Sequence, residues 1–175
     1  MTDIKSKAKS GMLWSFMIQG GTQVINFVVT IILSRLLMPE QFGLIGMISI
    51  FLAIGAALVD GGFVTSLIRT QDADDVDYST VFFVNLFSSI FLYGVLFFTA
   101  PLVATFFKQE ILVDLIRVQS LGLIIAAFSL VQSTKLNKEL QFRIQFKLQI
   151  PALIISAIAA VLFAYLGFGV WSLVA

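Results

Sequence analysis

A row of amide side chains lies at helical spacing in the first apolar stretch. Gln19, Gln23 and Asn26 are four and three positions apart, so an α-helix would place them on one face. Each amide offers two donors and an acceptor, which suits hydroxyl groups as well as water. Amides in hydrocarbon are costly unless they are hydrogen-bonded. The spacing therefore predicts either a water-filled substrate path or hydrogen bonds between helices.

Two charged residues in or beside apolar segments are further candidates. Arg117 could bind a phosphate through its planar guanidinium, or its long side chain could reach the aqueous surface. Asp60 precedes two glycines, which indicates a chain break more than a carboxylate deep in the membrane, and a substrate or proton role stays open.

The residues that most enzymes and metal sites use are missing. The chain has no cysteine and no histidine, which excludes thiolate and imidazole ligands and every Cys/His or Ser/His arrangement. The acidic segment with Asp72, Asp74, Asp75 and Asp77 lacks the glycine and the glutamate of a calcium-binding loop, so we expect Asp77 or Ser79 to cap the next helix instead. The sequence predicts no catalytic centre, no metal site and no cofactor.

The composition requires lipid as the solvent. Of the 175 residues, 59% are hydrophobic and 12% are charged, and the mean hydropathy is +1.01. A soluble core cannot hide so much apolar surface. The net charge of +1 gives no reason to expect a nucleic-acid partner.

Charges, prolines and glycines divide the chain into apolar runs near the roughly 20 residues that a membrane-spanning helix needs. The predicted fold is an all-α, polytopic transmembrane bundle with five complete spans and the start of a sixth, within a longer parent protein. The spans are residues 12–37, 42–60, 79–100, 112–131 and 151–166, with a sixth run opening at 170–175.

The second span carries small side chains on one helical face. Such a face lets a neighbouring backbone approach closely, so we expect it to form a packing surface. The face consists of Gly43, Gly46, Ser49, Ala53 and Ala57 and ends at Asp60.

The distribution of Lys and Arg predicts the orientation, because cytoplasmic loops carry the excess of positive residues. A cytoplasmic N-terminus puts eight basic residues inside and two outside. The eight are Lys5, Lys7, Lys9, Arg69, Lys135, Lys138, Arg143 and Lys147, and the two are Arg35 and Lys108. The basic and apolar connector 132–147 is also typical of a helix lying on the inner leaflet.

Several segments, read in order, resemble the polysaccharide flippases, the Wzx-type exporters of the multidrug/oligosaccharidyl-lipid/polysaccharide superfamily. The similarity extends over nearly the whole chain, and order and spacing carry it more than any single motif. The segments are 34–43 (SRLLMPEQFG), 60–63 (DGGF), 67–69 (LIR), 77–85 (DYSTVFFVN), 116–118 (IRV) and 167–174 (GFGVWSLV).

The resemblance implies a two-lobed transporter that works by alternating access, of which this chain is most of one lobe. It implies export of a lipid-linked oligosaccharide across the bacterial cytoplasmic membrane, with the C-terminal lobe and membrane lipids as partners. The substrate path would include Gln19, Gln23, Asn26, Arg117 and Asp60.

Two other functions compete with export. A cation-coupled drug or metabolite antiporter would need a buried carboxylate, and Asp60 and Asp114 are the nearest candidates. A membrane-embedded phosphotransferase would need further aspartates on one helix beside Asp60.

Overall fold

A computed structural model describes residues 2–69 and 74–174 of the chain. Five of its helices are long and apolar enough to cross a membrane, and the described residues contain no strand. The predicted all-α, polytopic architecture is confirmed. The helices are α1 (Thr2–Leu36), α2 (Pro39–Asp60), the short α3 (Phe63–Arg69), α4 (Asp75–Phe107), α5 (Leu112–Lys138) and α6 (Phe142–Tyr165), followed by a 3₁₀ helix (Gly169–Leu173).

The chain divides into two compact units. The first unit combines residues 1–42 with residues 135–173, and it contains α1, α6 and the 3₁₀ helix. The second unit consists of residues 43–134 and contains most of α2, all of α3 and α4, and most of α5.

In the first unit, α1 and α6 run parallel. Near the start of both helices, the rings of Trp14 and Phe146 meet edge to face with centroids 5.2 Å apart. Near their far ends, Leu33 packs in one buried cluster with Ala160. Contacts follow the same order along both helices, as expected for the first and fifth spans of a chain that crosses a membrane in alternating directions.

Two of the helices continue through a proline at which a predicted span ends or begins. α4 runs past Pro101 to Phe107, and α6 begins at Phe142, well before Pro151. Proline lacks an N–H and usually ends a soluble helix. Hydrocarbon offers no alternative hydrogen-bond partner, so membrane helices retain their form around proline. The helices are therefore longer than the predicted spans.

The predicted connector at residues 132–147 is mostly helical. α5 extends to Lys138 and α6 starts at Phe142, which leaves a turn of three residues. Across this turn the Gln145 Nε2 donates to the Asn137 Oδ1 at 2.9 Å. The expectation of a separate helix on the membrane surface is wrong, since the basic residues belong to the ends of two long helices.

The start of α4 differs from its predicted cap. The Asp77 N–H donates to the Asp74 Oδ1 at 2.8 Å, and the Asp74 N–H donates to the Asp77 Oδ2 at 3.2 Å. Asp74 is thus the N-cap, and Asp77 completes a reciprocal capping box. The prediction of Asp77 or Ser79 as the cap was wrong by several residues. Asp72 lies outside the described residues.

In the second unit, the buried Gly55 of α2 lies against side chains of α4 and α5. A Cβ atom added there would lie 2.9 Å from the Leu92 Cδ2 and 3.5 Å from the Leu123 Cδ1. The small side chains of the predicted packing face, by contrast, are exposed, and nothing lies within 4 Å of a Cβ added at Gly43 or Gly46. Within the described residues, the packing face of α2 is therefore opposite the predicted one.

The Gly55 contact gives a stability prediction. The Gly55→Val substitution should lower the free energy of unfolding of the full-length protein by about 1–3 kcal/mol, because the added methyl groups overlap Leu92. Gly122→Val is the matched control, since it makes the same exchange in a helix where no atom lies within 4 Å. Thermal unfolding in detergent measures both, and equal melting temperatures would contradict the predicted overlap.

Candidate functional site

The three amides of the predicted path share one exposed face of α1. The side chains of Gln19, Gln23 and Asn26 are all exposed. α6 packs on a different face, where Trp14 meets Phe146. At about 100° per residue, the amides lie about 120° to 180° around α1 from Trp14. Hydrogen bonding between α1 and α6 therefore does not explain the polar face.

Arg117 rests on an aromatic ring of the neighbouring helix. Its guanidinium carbon lies 4.1 Å from the centroid of the Phe97 ring on α4, which is the geometry of a cation–π contact. The Arg117 Nε is buried and has no hydrogen-bond partner among the described residues. The ring occupies one face of the guanidinium, and its in-plane N–H groups point elsewhere, where an oxyanion could accept them.

The α4 backbone beside the Arg117–Phe97 contact has a carbonyl group that lacks its helical hydrogen-bond donor. Pro101 lies inside α4 one turn after Phe97 and has no N–H to donate to the Phe97 carbonyl. Arg117 therefore stacks on a residue whose carbonyl has lost its helical partner.

Asp60 and Arg117 belong to different helices of the second unit. Asp60 is the last residue of α2, and the residues before it, Leu58 and Val59, line a pocket with Phe91 in the middle of α4. Arg117 lies near the start of α5, which follows the end of α4. The structure describes Asp60 by its backbone alone. The predicted site residues thus fall into an amide face in the first unit and two separate positions in the second.

A buried polar position outside the predicted site residues lies on α4. Asn85 is 0% exposed, and neither its Oδ1 nor its Nδ2 has a hydrogen-bond partner among the described residues. Ser89, one turn later, is also buried, and its hydroxyl donates to the Leu86 carbonyl at 2.8 Å. The sequence feature that indicates this buried position is Asn85 in the middle of an apolar run, with Ser89 four positions later.

No group of metal-binding side chains occurs within residues 2–69 and 74–174. The candidate residues Gln19, Gln23, Asn26 and Arg117 contribute amides and a half-buried guanidinium, which bind a ligand by hydrogen bonds.

Comparison with known proteins identifies the family. Residues 32–175 match the sequence profile of a family described as "Polysaccharide biosynthesis protein". The chain belongs to this family. The family assignment made from the ordered motifs is confirmed, and the five long apolar helices make this family member a multi-pass membrane protein.

Relatives come from several bacteria. The chain is 30% identical over 93% of its length to the succinoglycan biosynthesis transport protein ExoT of Rhizobium meliloti, of which it covers 33%. It is 27% identical over 98% of its length to the teichuronic acid biosynthesis protein TuaB of Bacillus subtilis, of which it covers 34%. The lipopolysaccharide biosynthesis protein WzxC of Escherichia coli is 23% identical over 79% of the chain, which covers 28% of that relative.

The chain therefore spans about a third of the length of the curated relatives it matches. No solved structure matches it.

Proposed function

We propose that the chain forms the N-terminal part of a transporter that moves lipid-linked oligosaccharide or polysaccharide precursors across the bacterial cytoplasmic membrane by alternating access. The observation that carries this proposal is the exposed amide face of α1, in a chain whose relatives are named for polysaccharide biosynthesis and, in one case, transport. The partners are the C-terminal lobe of the full-length protein and the surrounding lipids.

The polar side chains on α1 suit the physical task of such a transporter. A lipid-linked precursor has a hydroxyl-rich head that hydrocarbon excludes and an apolar tail that hydrocarbon dissolves. The head needs hydrogen-bonding groups along its way through the membrane, and no covalent bond must form or break. Gln19, Gln23 and Asn26 supply donors and acceptors without the desolvation cost of a charge.

Arg117 supplies the second element of the proposed path. The phosphate groups that join the sugar to the lipid carry negative charge, and a guanidinium binds them through parallel hydrogen bonds. The Phe97 ring holds the Arg117 guanidinium in a defined position, and its buried Nε is left without a partner among the described residues. This geometry supports a role in binding the phosphate.

Export is favoured over a cation-coupled antiporter by the positions of the carboxylates. Asp114 is exposed in the first turn of α5, and Asp60 is the last residue of α2. Coupling through a carboxylate deep in the membrane therefore finds no support at these two positions.

Deletion of the full-length gene tests the proposed function. We expect the strain to lose its surface polysaccharide and to accumulate the lipid-linked precursor on the cytoplasmic side of the membrane. A plasmid with the intact gene should restore export. Normal surface polysaccharide in the deletion strain would contradict the proposal, provided that the genome has no second copy.

Reporter fusions test the proposed orientation. A fusion after Asn137 should report the cytoplasm and a fusion after Lys108 the periplasm, because eight basic residues then lie inside and two outside. Fluorescence of a cytoplasmic reporter and activity of a periplasmic phosphatase provide paired measurements at each site. The reverse pattern at both sites would contradict a cytoplasmic N-terminus.

A further inference from the structure

Three buried polar side chains lie in the second unit. Asn85, Ser89 and Ser120 are each 0% exposed, and the first two lie one turn apart on the same face of α4. The Ser89 hydroxyl donates to the Leu86 carbonyl at 2.8 Å, and the Ser120 hydroxyl donates within α5 at 3.2 Å. The Asn85 amide differs, because neither its Oδ1 nor its Nδ2 has a partner among the described residues. A buried amide normally has a partner, so Asn85 indicates a bound ligand.

Contacts at two levels show where Asn85 lies along α4 and α5. The Phe82 ring of α4 meets the Phe128 ring of α5 with centroids 5.8 Å apart. Further along α4, Leu92 lies against the buried glycine of α2, and so does Leu123 of α5. The order of these contacts makes α4 and α5 antiparallel. Asn85 lies between the two levels, three residues after Phe82.

The side chain of α5 at the level of Asn85 is small and apolar. Ala127, one residue before Phe128, is 2% exposed and lies between the same two levels. Its methyl group can neither donate to the amide nor accept from it, and it fills less space than the leucines at the next level. The protein therefore offers Asn85 no polar side chain at this level of α5.

The spacing of Asn85 and Ser89 suits a bridging water molecule. Four residues of α-helix rise about 6 Å, which is about twice the length of one hydrogen bond to oxygen. A single water molecule spans such a gap. The Ser89 oxygen can accept a hydrogen bond from it, because the hydroxyl proton is already donated to the Leu86 carbonyl.

We infer that Asn85 and Ser89 bind an ordered water molecule inside the second unit. The chemistry of the amide selects this ligand, since its Oδ1 needs a donor and its Nδ2 needs an acceptor. A cation would leave the Nδ2 unbonded, and an anion would leave the Oδ1 unbonded. Water supplies both functions and is small enough for a position that is 0% exposed.

NMR spectra of the full-length protein in lipid bilayers test the inference, which does not depend on the transported substrate. The Asn85→Leu substitution removes the side-chain NH₂ resonance and thereby assigns it. We expect magnetisation to pass from water to the Asn85 Nδ2 protons in the wild-type protein. An Asn85 resonance that receives no magnetisation from water would overturn the inference.

A second pair of variants tests the part of Ser89. Ser89→Ala should reduce the transfer to Asn85 several-fold, because it removes one of the two groups that hold the water. Ser172→Ala is the matched control, since Ser172 is also 0% exposed and its hydroxyl donates to the Gly169 carbonyl within its own helix in the first unit. Equal transfer in both variants would contradict a water shared by Asn85 and Ser89.

Thermal unfolding decides the question if the Asn85 resonance is not observed. Asn85→Leu should leave the melting temperature unchanged or lower it, because the variant loses the hydrogen bonds to water. Leucine gains little in exchange, since lipid is as apolar as the interior of the helix bundle. A higher melting temperature would show that the wild-type amide is unbonded, and it would overturn the inference.

Discussion

Replacement of Gln19, Gln23 and Asn26 together by leucine is expected to slow glycan export on the order of 100-fold while the full-length protein remains in the membrane. The three side chains are exposed on α1, so leucine creates no steric overlap within the described residues and raises the apolar character of the helix. Three lost hydrogen bonds of about 1 kcal/mol each would slow translocation on the order of 100-fold. Surface polysaccharide, normalised to the amount of membrane protein, measures the effect.

Accessibility measurements distinguish a water-filled path from a dry helix contact. Single cysteines at positions 19, 23 and 26 of the full-length protein should react with a small water-soluble thiol reagent. Cysteines at Ile18 and Ile25, which lie toward α6, are the matched controls and should stay protected. Protection of all three amide positions in every transport state would assign the stripe to interhelical hydrogen bonding and contradict the substrate path.

The second large effect is expected at Arg117. The Arg117→Lys substitution should reduce export about 10- to 100-fold, because lysine keeps the charge and loses the planar fork that makes two parallel hydrogen bonds to phosphate. The Phe97 ring, 4.1 Å from the guanidinium carbon, holds this fork in one orientation. Export of glycan at equal protein levels provides the measurement.

A substitution of Phe97 distinguishes the effect of positioning the Arg117 guanidinium from the effect of its charge. Phe97→Leu should reduce export less than Arg117→Lys does, since the guanidinium remains but loses the face that holds it. Undiminished export by Arg117→Lys at normal expression would contradict the phosphate role and assign Arg117 to snorkelling toward the surface.

The number and type of the long helices could be predicted because hydrocarbon leaves the backbone few choices. A run of about 20 apolar residues must satisfy its own hydrogen bonds, which selects a helix. The same constraint explains why the predicted ends of α4 and α5 were wrong. Pro101 and the basic connector would end helices in water, yet α4 continues to Phe107 and α5 to Lys138.

Side-chain contacts between helices were less predictable. Periodicity correctly places Gln19, Gln23 and Asn26 on one face of α1, because it depends only on helix geometry. It cannot tell which face of α2 meets its neighbours, since small residues occur on one face and Gly55 on the other. The ring of Phe97 under Arg117 joins residues from two helices, and no spacing along the chain reveals such a pair.

Translocation by the purified full-length protein tests the proposed export most directly. Vesicles that contain the protein and a fluorescent lipid-linked oligosaccharide are treated with a glycosidase that cannot cross the membrane. The proposed function predicts that nearly all of the oligosaccharide becomes cleavable with time, whereas empty vesicles and vesicles with the triple leucine variant protect the inner-leaflet share. Equal protection in vesicles with and without the wild-type protein would contradict the proposed function.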